Sequence, residues 1–376
     1  MAEIDHTNNS IQRELRDCSL AAWGLEENVY AAGMVPSKSS KRSTGTYWKY
    51  DKRYFMSTQV QTRTAGSATP TAKYEAATAT YSIGQKHLGV PITNEEIVDA
   101  SDELDPFRDA STFLGNNFLV DYELDFANTF VVDDAWGYQA VGQAGAAAGH
   151  INGDPTELIA GTPAQFQQFD VAASDPLAIL LKAIRTIQLE TGLRPNKLMI
   201  PRLVMDSLRD NPNVVQWSAS LDGITGGDEI TKAIVAQHLG LKMDGIHVIE
   251  MPYQAISSIS PANRAVQDHN FGQHLTPTFG VMEWVLEKSC LLMYTAPAFN
   301  KYSKTSSVCF KWDGLTNSLQ NSDRSLSSGS GIDTPNLLIR SRYDAVNFTH
   351  YVEGYFAYEN AIVAPNLGFY LKDCIA

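Results

Sequence analysis

Cysteine is scarce in this sequence, and the four cysteines form no known motif. Cys18, Cys290, Cys309 and Cys374 are far apart and include no Cys-x-x-Cys pair. This spacing excludes a thiolate zinc site and a disulfide scaffold, so we expect free, buried thiols. Cys290 follows Ser289 in an apolar strand pattern, where no neighbouring residue would activate its thiol as a nucleophile.

Long apolar runs are also absent. No stretch of about 18 consecutive apolar residues occurs, so the sequence predicts no membrane-spanning helix. The first ten residues are polar and lack the apolar core of a signal peptide. We therefore expect a protein that is made in a cytoplasm-like compartment.

Nucleotide-binding motifs are missing. No glycine-rich turn joins a strand to a helix with a lysine or an acidic partner at the required spacing, which excludes a P-loop and a dinucleotide fingerprint. The glycine-rich residues 223–227 lie between two helical patterns, and we interpret them as a loop.

Metal-binding patterns are weak. His269 and His274 lie five positions apart beside Asp268, outside the usual zinc spacings. Residues 99–105 hold four carboxylates but lack the glycine and the spacing of a calcium loop. Acidic residues at the start of a helix explain them, because they interact favourably with the helix dipole. We predict no metal and no cofactor.

Carboxylates suited to acid–base catalysis are not evident. Glu95 and Glu96 are adjacent on a predicted helix, so their side chains point apart and cannot flank one bond. Asp344, Glu353 and Glu359 fall in aromatic strand patterns, where we expect outward-facing, solvated side chains. We predict no catalytic residue.

The chain is acidic, with 29 lysines and arginines against 42 aspartates and glutamates and a net charge of −13. Such a surface repels nucleic acid and anionic lipid unless basic residues gather locally. They gather near the N-terminus: Lys38, Lys41, Arg42, Lys49, Lys52 and Arg53. Two interpretations remain open, a solvated arm or a contact with an acidic neighbouring surface.

A compact α/β unit is predicted between residues 174 and 251. Asp175 caps a helix that has Pro176 in its first turn and ends at Gly192. We predict two further helices at 202–208 and 230–239 and two strands at 197–200 and 246–250.

The first part of the chain predicts an arm and a hairpin. A helix is expected at 11–23, and the polar residues 36–45 have no core to bury. Strands at 54–64 and 73–83 flank turn residues at 65–70. Residues 74–81 are mostly Ala and Thr and provide little apolar bulk. Since an isolated hairpin is marginal in water, we expect other chains to cover it.

A long helix is predicted at 106–131. Asp105 caps it, Pro106 is its first-turn residue, and apolar side chains recur every three or four positions. At about 1.5 Å per residue, the helix spans roughly 35–40 Å, the width of a domain.

The remaining chain predicts a connector and strands. Residues 137–163 are rich in Gly and Ala and have little capacity to pack. We expect an exposed Ser/Gly-rich loop at 315–331 and a loop at 257–277. The predicted strands are a pair at 280–286 and 290–295, one at 307–312, and a closing meander at 343–354, 355–364 and 367–371.

The order of these elements resembles a known family. The residues that carry the resemblance are the weakly apolar hairpin, the approach at 81–96 (Tyr-Ser-Ile-Gly-Gln-Lys-His-Leu-Gly-Val-Pro-Ile-Thr-Asn-Glu-Glu) and the long helix containing residues 121–127. Together they resemble the major capsid proteins of tailed bacteriophages, which have the HK97-like fold. The resemblance covers nearly the whole chain by order of elements, without an invariant motif.

The resemblance implies an α+β fold with two domains, a hairpin and an arm. The implied parts are an N-terminal arm at 1–46, an extended β-hairpin (the E-loop) at 47–92, a spine helix and connector of the peripheral domain at 93–163, an α/β axial domain at 164–296, and the second part of the peripheral domain, a β-sheet, at 297–376.

The implied function is structural. Hexamers and pentamers of the chain would form an icosahedral shell around a double-stranded DNA genome, with no sequence-specific DNA binding and no membrane. The protein would be made in the host bacterial cytoplasm and reside in the virion. The long helix is expected to begin near residue 105 after only an arm and a hairpin, which leaves no room for a fused scaffolding segment, so a separate scaffolding protein or none is expected. A portal is a further implied partner, and a decoration protein remains open.

Position in the implied fold selects the candidate inter-subunit contacts. The basic arm and the hairpin tip would contact acidic surfaces of neighbours, and one loop would lie near the axial centre. These candidates are Lys38, Lys41, Arg42, Lys49, Lys52, Arg53, Gly66, Thr69, Lys73, Asp222, Gly226 and Glu229.

Some family members crosslink a hairpin lysine to a neighbour's asparagine. Lys73 and Lys86 lie in the implied hairpin, but no catalytic carboxylate is evident, so we expect no crosslink. Three alternatives remain open: an encapsulin nanocompartment shell of the same fold, an α/β enzyme, and a β-rich adhesion module.

Overall fold

The computed structural model describes residues 31–49, 60–69, 71, 77–100, 105–153, 164–220, 228–254, 282–300, 303–313 and 337–376. The predicted helix at 11–23 and the predicted loops at 223–227, 257–277 and 315–331 lie outside these residues.

Seven helices and fifteen strands make up the described part of the chain. The helices are α1 Ala31–Met34, α2 Asn94–Asp99, α3 Pro106–Phe130, α4 Pro176–Thr191, α5 Arg202–Asp210, α6 Pro212–Ser220 and α7 Asp228–Leu239. The strands are β1 Ser37–Ser40, β2 Thr44–Lys49, β3 Ala77–Ser82, β4 Gly84–Thr93, β5 Tyr138–Gln143, β6 Ala164–Gln167, β7 Lys197–Pro201, β8 Ile246–Ile249, β9 Pro252–Gln254, β10 Met282–Trp284, β11 Cys290–Met293, β12 Ser307–Trp312, β13 Leu338–Asp344, β14 Thr349–Ile362 and β15 Gly368–Lys372.

The strand β14 organises a five-stranded sheet. It pairs along one side with β4, from Thr349 opposite Thr93 to Tyr358 opposite Gly84. Along its other side it pairs first with β13 and then with β12, all antiparallel. The short strand β1 completes the sheet by pairing in parallel with β12.

The long helix α3 packs against this sheet. Asp105 accepts hydrogen bonds from the backbone N–H groups of Phe107 and Arg108, and Pro106 opens the helix, as the sequence predicts. The predicted apolar stripe is buried from Ala110 to Phe130, although Phe107 is only partly buried. This stripe packs against β14 and forms the first of the hydrophobic cores. Such tertiary packing provides most of the stability of an amphipathic helix.

A six-stranded sheet holds the second core. Its order is β6-β5-β15-β11-β7-β8, with β11 antiparallel to both neighbours and the remaining pairs parallel. The helix α4 buries its apolar face in this core. The side chain of Asp175 accepts a hydrogen bond from Ala178 N–H, and Gly192 ends the helix with a left-handed φ of 71°.

The predicted α/β unit is thus confirmed in its elements, with one omission. The chain between α5 and α7 contains α6, which begins at Pro212, whereas the sequence predicted no helix between 202–208 and 230–239. Proline is well suited to the first turn of a helix, since no intrahelical partner exists there for the missing N–H.

The polar residues 36–45 contain an edge strand, which the sequence did not predict. Met34 and Val35 are buried in the first core, and β1 follows them as an edge strand. Backbone hydrogen bonds hold such a strand, as shown by Cys309 N–H donating to Pro36 O at 3.0 Å. A polar sequence can therefore form an edge strand without apolar side chains.

The predicted hairpin is present, but its register is wrong. The strand β3 pairs with β2, with Thr44 opposite Ser82 and Lys49 opposite Ala77, so the first strand starts ten residues earlier than predicted. Residues 60–64 form no strand. The strand β4 does not belong to the hairpin, because it lies in the five-stranded sheet.

Three strand predictions outside the hairpin also need correction. The predicted connector contains a buried strand, β5. Gly142 in this strand has no room for a side chain, because a Cβ there would lie 2.0 Å from the backbone O of Asp373. The strand β10 pairs with β9 and not with β11. The predicted break at 354/355 is absent, since β14 is continuous, and β15 joins the six-stranded sheet.

Candidate functional site

Aromatic side chains fasten the base of the hairpin β2–β3 to the five-stranded sheet. Tyr81 stacks on Phe310 of β12 with ring centroids 4.1 Å apart, and Tyr47 packs against the same ring at 5.4 Å. Phe299 meets Phe310 edge-on at 6.0 Å, and Lys38 Nζ lies 5.0 Å from the centroid of Phe299. Aromatic pairs add about 0.5–1.5 kcal/mol each beyond their buried area. The direction in which the hairpin leaves the sheet is therefore fixed by its own chain.

Polar contacts reinforce the hairpin base. Ser82 N–H donates to Glu359 Oε2 at 2.5 Å, and Ile83 N–H donates to Ser43 O at 2.8 Å. Burial raises the pKa of the Glu359 carboxyl, and the hydrogen bond from Ser82 opposes part of that rise. The expectation that Glu359 is a solvated side chain is wrong, because it is half-buried under the hairpin.

The tip of the hairpin is exposed throughout its described residues, 60–69. Ser67 N–H donates to Thr64 O at 3.1 Å, and Arg63 Nε donates to Ser67 O at 2.8 Å. Gly66 has a φ of 84°, which a side chain would strain. Val60 is 93% exposed. The tip is thus a closed turn that presents an apolar and a basic side chain to its surroundings.

A lysine ties β4 to the long helix α3. Lys86 Nζ lies 2.6 Å from Oδ2 of both Asp121 and Asp125 and 3.2 Å from the hydroxyl of Tyr358. That hydroxyl donates to Asp125 at 2.9 Å, and burial followed by the nearby carboxylates holds the pKa of Tyr358 well above its usual value. Lys86 therefore anchors the sheet, although the implied fold assigned it to the hairpin.

The opposite end of β14 combines exposed apolar and acidic residues. The turn between β13 and β14 exposes Val346 by 84% and Phe348 by 62%, and Val98 of the neighbouring α2 is 84% exposed. Asn94 N–H donates to Phe348 O at 3.3 Å, which joins α2 to the turn. Phe107 at the start of α3 packs edge-on against His350 at 5.5 Å. We call residues 94–99, 105–109 and 344–348 the sheet-end surface.

Most of the described candidate contact residues are exposed. Lys38, Lys41, Arg42 and Lys49 lie along β1, the following bend and β2, near the hairpin base. Gly66 and Thr69 lie at the tip. Glu229 lies in the first turn of α7, where the sequence predicted a loop. Lys52, Arg53, Lys73, Asp222 and Gly226 lie outside the described residues.

The other singled-out carboxylates have structural partners. Asp344 accepts from Val346 N–H and Asn347 Nδ2, and these bonds lower the pKa of its carboxyl. Glu353 is half-buried in an ion pair, with Oε1 3.2 Å from Arg342 Nε, and is not the solvated carboxylate expected. His269, His274 and Asp268 lie outside the described residues.

Neither a metal cluster nor a membrane span emerges from the described residues. Among them, no three His, Cys, Asp or Glu side chains are grouped so that they could hold a metal ion. No helix in the described part of the chain is long and apolar enough to cross a bilayer. Cys290, Cys309 and Cys374 are buried free thiols, as predicted for them, whereas Cys18 lies outside the described ranges.

The sheet-end surface was not predicted from the sequence. The signal that could have found it is the stretch Asp344-Ala-Val-Asn-Phe348, since Asp and Asn favour tight turns by hydrogen-bonding to nearby backbone groups. The sequence predicted one strand over residues 343–354, which include this turn, so no turn was expected there.

Comparisons by sequence find no relative. No protein-family model matches the chain. No curated protein matches it at a significant level.

Solved structures do match, over most of the chain. A phage-related protein from Bordetella bronchiseptica RB50 has a TM-score of 0.60 at 13% identity, covering 96% of this chain and 97% of that one. A chain of the bacteriophage PhiM1 mature capsid has a TM-score of 0.51 at 12% identity, covering 92% and 87%. A chain of the cyanophage P-SCSP1u capsid has a TM-score of 0.50 at 12% identity, covering 92% and 87%. The chain therefore has the mixed helix and strand fold of phage capsid proteins, the HK97-like fold that its sequence resembles.

Proposed function

We propose that the chain is the major capsid protein of a tailed phage and self-assembles into an icosahedral shell around double-stranded DNA. The observation that carries the proposal is the structural likeness to a chain of the mature PhiM1 capsid, which spans 92% of this chain. A likeness of that extent spans nearly the whole chain, and not a single common motif.

In this proposal each part of the fold has a role in the shell. The hairpin β2–β3 is the E-loop, α3 is the spine helix, and the five-stranded sheet belongs to the peripheral domain. The unit around the six-stranded sheet is the axial domain, which takes β5 and β15 from outside residues 164–296. Glu229, in the first turn of α7, is the described candidate contact that we place near the axial centre.

The hairpin supports the proposal physically. Its base is held by Tyr47, Tyr81 and Glu359, yet all of its described tip residues are exposed. A long, exposed hairpin contributes little to a monomer, because isolated strand pairs are marginal in water. A rigid base and an exposed tip are the arrangement that a contact between subunits requires.

The net charge of −13 suits a container for DNA. An acidic wall repels phosphate groups, so a packaged genome does not adhere to it and no sequence-specific recognition is needed. A separate scaffolding protein and a portal are the further partners we propose. The virion is the proposed location, after synthesis in the host bacterial cytoplasm.

Particle formation is the first test. The purified chain, alone and together with its neighbouring gene products, is examined by light scattering and negative-stain microscopy. We expect closed shells, or rings of five and six subunits, which contain nuclease-resistant DNA when formed in infected cells. Shells filled with protein and no DNA would favour the encapsulin alternative. A 41.3 kDa monomer under all conditions would refute the proposal.

The role of the hairpin can be tested separately. Lys49 and Ala77 are cross-strand partners, so residues 50–76 can be replaced by Asn-Gly, a two-residue turn that fits a hairpin of this kind. We expect this variant to unfold at the temperature of the wild type and to form no shells. Thr69→Ser, at the exposed tip, is the matched control and should assemble normally. Normal particles from the shortened chain would contradict the role of the hairpin.

A further inference from the structure

We propose that Cys290 and Cys374 are the site of a reversible covalent modification, an intramolecular disulfide bond that forms when the folded chain meets an oxidising environment. The two cysteines are some 84 residues apart in the sequence, and both are fully buried in the second core. The inference concerns the fold of the single chain and does not depend on the proposed shell function.

Strand pairing brings Cys374 next to Cys290. Cys290 of β11 lies opposite Leu371 of β15, and residues opposite each other in antiparallel strands have Cα atoms about 4.5–5.5 Å apart. Cys374 follows β15, and its Sγ donates to the backbone O of Leu371 at 3.5 Å. Cys374 N–H donates to the backbone O of Lys288, two residues before Cys290, at 2.8 Å. The Cys374 thiol is therefore held beside the residue that Cys290 faces.

The backbone at the end of β15 fixes the position of Cys374. Asp373 has a φ of 50°, in the left-handed region, so the alternation of the strand is broken just before Cys374. Phe169 N–H donates to Cys374 O at 2.7 Å, which holds the carbonyl group on the far side of the residue. Neither cysteine side chain is accessible to solvent. Both thiols therefore lie in the same packed core.

The two thiols also interact with each other. The side chain of Cys290 hydrogen-bonds to the Cys374 thiol, and burial, followed by this interaction, holds the pKa of that thiol well above its usual value. A disulfide bond needs Cα atoms about 4.4–6.8 Å apart and sulfur atoms about 2.05 Å apart. Adjacent strands supply the first distance. Rotation of the two side chains supplies the second without a change in strand pairing.

The reaction needs an external oxidant, and a low-molecular-weight disulfide is sufficient. The Cys374 thiolate attacks one sulfur of this reagent, the S–S bond of the reagent breaks, and one reagent thiol leaves. The Cys290 thiolate then attacks the Cys374 sulfur, and the second reagent thiol leaves. The protein loses two protons and two electrons, and the reagent gains them as two thiols. A dithiol reductant reverses both steps.

Cys374 is the residue that reacts first. Residues 373–376 follow β15 and are held by few contacts, such as the bond from Lys288 Nζ to Ala376 O at 2.8 Å. Opening of these residues alone exposes Cys374, whereas Cys290 lies in β11 with a strand on each side. Because burial raises the pKa of the closed thiol, the thiolate forms chiefly in the open state. The rate should therefore rise with pH towards the usual pKa of a thiol, about 8.5.

The bond would join the two strands through which the chain leaves and re-enters the six-stranded sheet. After β11 the chain passes through β12, β13 and β14 of the five-stranded sheet and returns at β15. A link between the two ends of this long excursion restricts the unfolded chain and so stabilises the fold. Thiols stay reduced in a cytoplasm and are oxidised outside the cell. The modification would therefore stabilise the chain after its release.

Peptide mapping tests the bond directly. The purified full-length chain is incubated without denaturant with oxidised glutathione at about pH 8, the remaining thiols are alkylated, and the protein is digested with trypsin. Trypsin cleaves after Lys288 and Lys372, so we expect residues 289–301 linked to residues 373–376 by a bond that a dithiol reduces. Alkylated forms of these two peptides without the linked product, or a lasting glutathione adduct, would overturn the inference.

Thermal unfolding tests the effect of the bond. Oxidation should raise the melting temperature of the wild type by about 3–6 °C above that of the dithiol-reduced protein. Cys374→Ala should show no such rise relative to its own reduced form, so any direct effect of the substitution on stability cancels. Cys309→Ala is the matched control, because Cys309 is buried in the five-stranded sheet and the proposed pair stays intact.

The outcomes of the thermal test are decisive in both directions. A full rise in Cys309→Ala together with none in Cys374→Ala would support the bond between Cys290 and Cys374. An equal rise in both variants, or a melting temperature of the wild type that falls on oxidation, would overturn the inference. Both experiments use the single chain, so the absence of shells would refute only the proposed function.

Discussion

Replacing Gly354 by alanine should destabilise the protein, because α3 packs directly on β14 at this position. A Cβ built on Gly354 would lie 2.3 Å from Cε2 and 3.1 Å from Cζ of Phe118. Carbon atoms in contact are about 3.5–4.0 Å apart, so the ring would have to move by more than an ångström. Phe118 is only 4% exposed and meets Phe356 edge-on at 5.7 Å, which leaves the ring little space. Overpacking of this kind costs about 1–3 kcal/mol.

Thermal unfolding measures this cost. A loss of about 2 kcal/mol lowers the melting temperature of a chain this long by roughly 2–3 °C. Gly89→Ala is the matched control, since a Cβ there would lie 3.6 Å from Glu353 Cγ, an ordinary contact on the other face of the same sheet. Phe118→Leu should be less harmful in Gly354→Ala than in the wild type, because the smaller side chain makes room for the new methyl group. Equal melting temperatures for the two alanine variants would refute the packing of α3 on β14.

Two further predictions concern charged groups that join elements of the fold. The substitution Lys86→Met removes the cation that Asp121 and Asp125 share. We expect the free energy of unfolding to fall by about 1 kcal/mol, because these groups are partly exposed and screened by solvent. Adding Asp125→Asn should restore part of this loss, and chemical denaturation measures both changes. Burial, followed by Lys197, lowers the pKa of His247 to about 3, below its usual 6.5. The stability linked to His247 is therefore complete above pH 6.5 and is lost as the pH falls towards 3, because only the unfolded chain takes up the proton. His247→Gln should remove a slope of about 1.4 kcal/mol per pH unit from this range, and an unchanged slope would contradict the burial of a neutral imidazole.

The helices were predictable because their signals are local. The long helix is defined by Asp105, Pro106 and an apolar residue every three or four positions, and the observed end at Phe130 differs from the prediction by one residue. Gly192 ended α4 as predicted, with the left-handed backbone that a helix end requires. Caps and periodicity act within a few residues, so a single sequence contains all the information that sets them.

The strands were harder, because their partners lie far along the chain. The strand β1 is Ser-Lys-Ser-Ser, a sequence with no apolar pattern, and it forms because β12 offers free backbone groups some 270 residues later, with Ser37 opposite Cys309. The hairpin register was wrong because β3 alternates Ala and Thr, two small residues that differ little in the burial they gain on either face. Pairing of this kind depends on the assembled sheet and not on the strand alone.

The candidate contact surfaces fall between these two cases. The basic cluster near the N-terminus and the exposed tip around Gly66 could be found from residue type and turn chemistry. The sheet-end surface could not, because it combines α2, the start of α3 and a turn some 240 residues further on, and its strain at Phe348 exists only in the folded chain.

The attachment of the hairpin to β14 has a consequence for the proposed assembly. The base of the hairpin contacts Glu359 on a strand that is continuous from Thr349 to Ile362, so the five-stranded sheet sets the angle at which the hairpin leaves every copy. Identical copies that dock head to tail through such rigid connections repeat a single rotation, and the rotation decides whether a ring closes. Small changes at the aromatic base, around Tyr81 and Phe310, should then alter the curvature of the assembly without weakening any single contact. Phe310→Leu, which keeps an apolar contact but loosens the stack, should therefore give particles of irregular size by electron microscopy, while a variant that gives uniform, normal particles would show that neighbours and not the base set the hairpin angle.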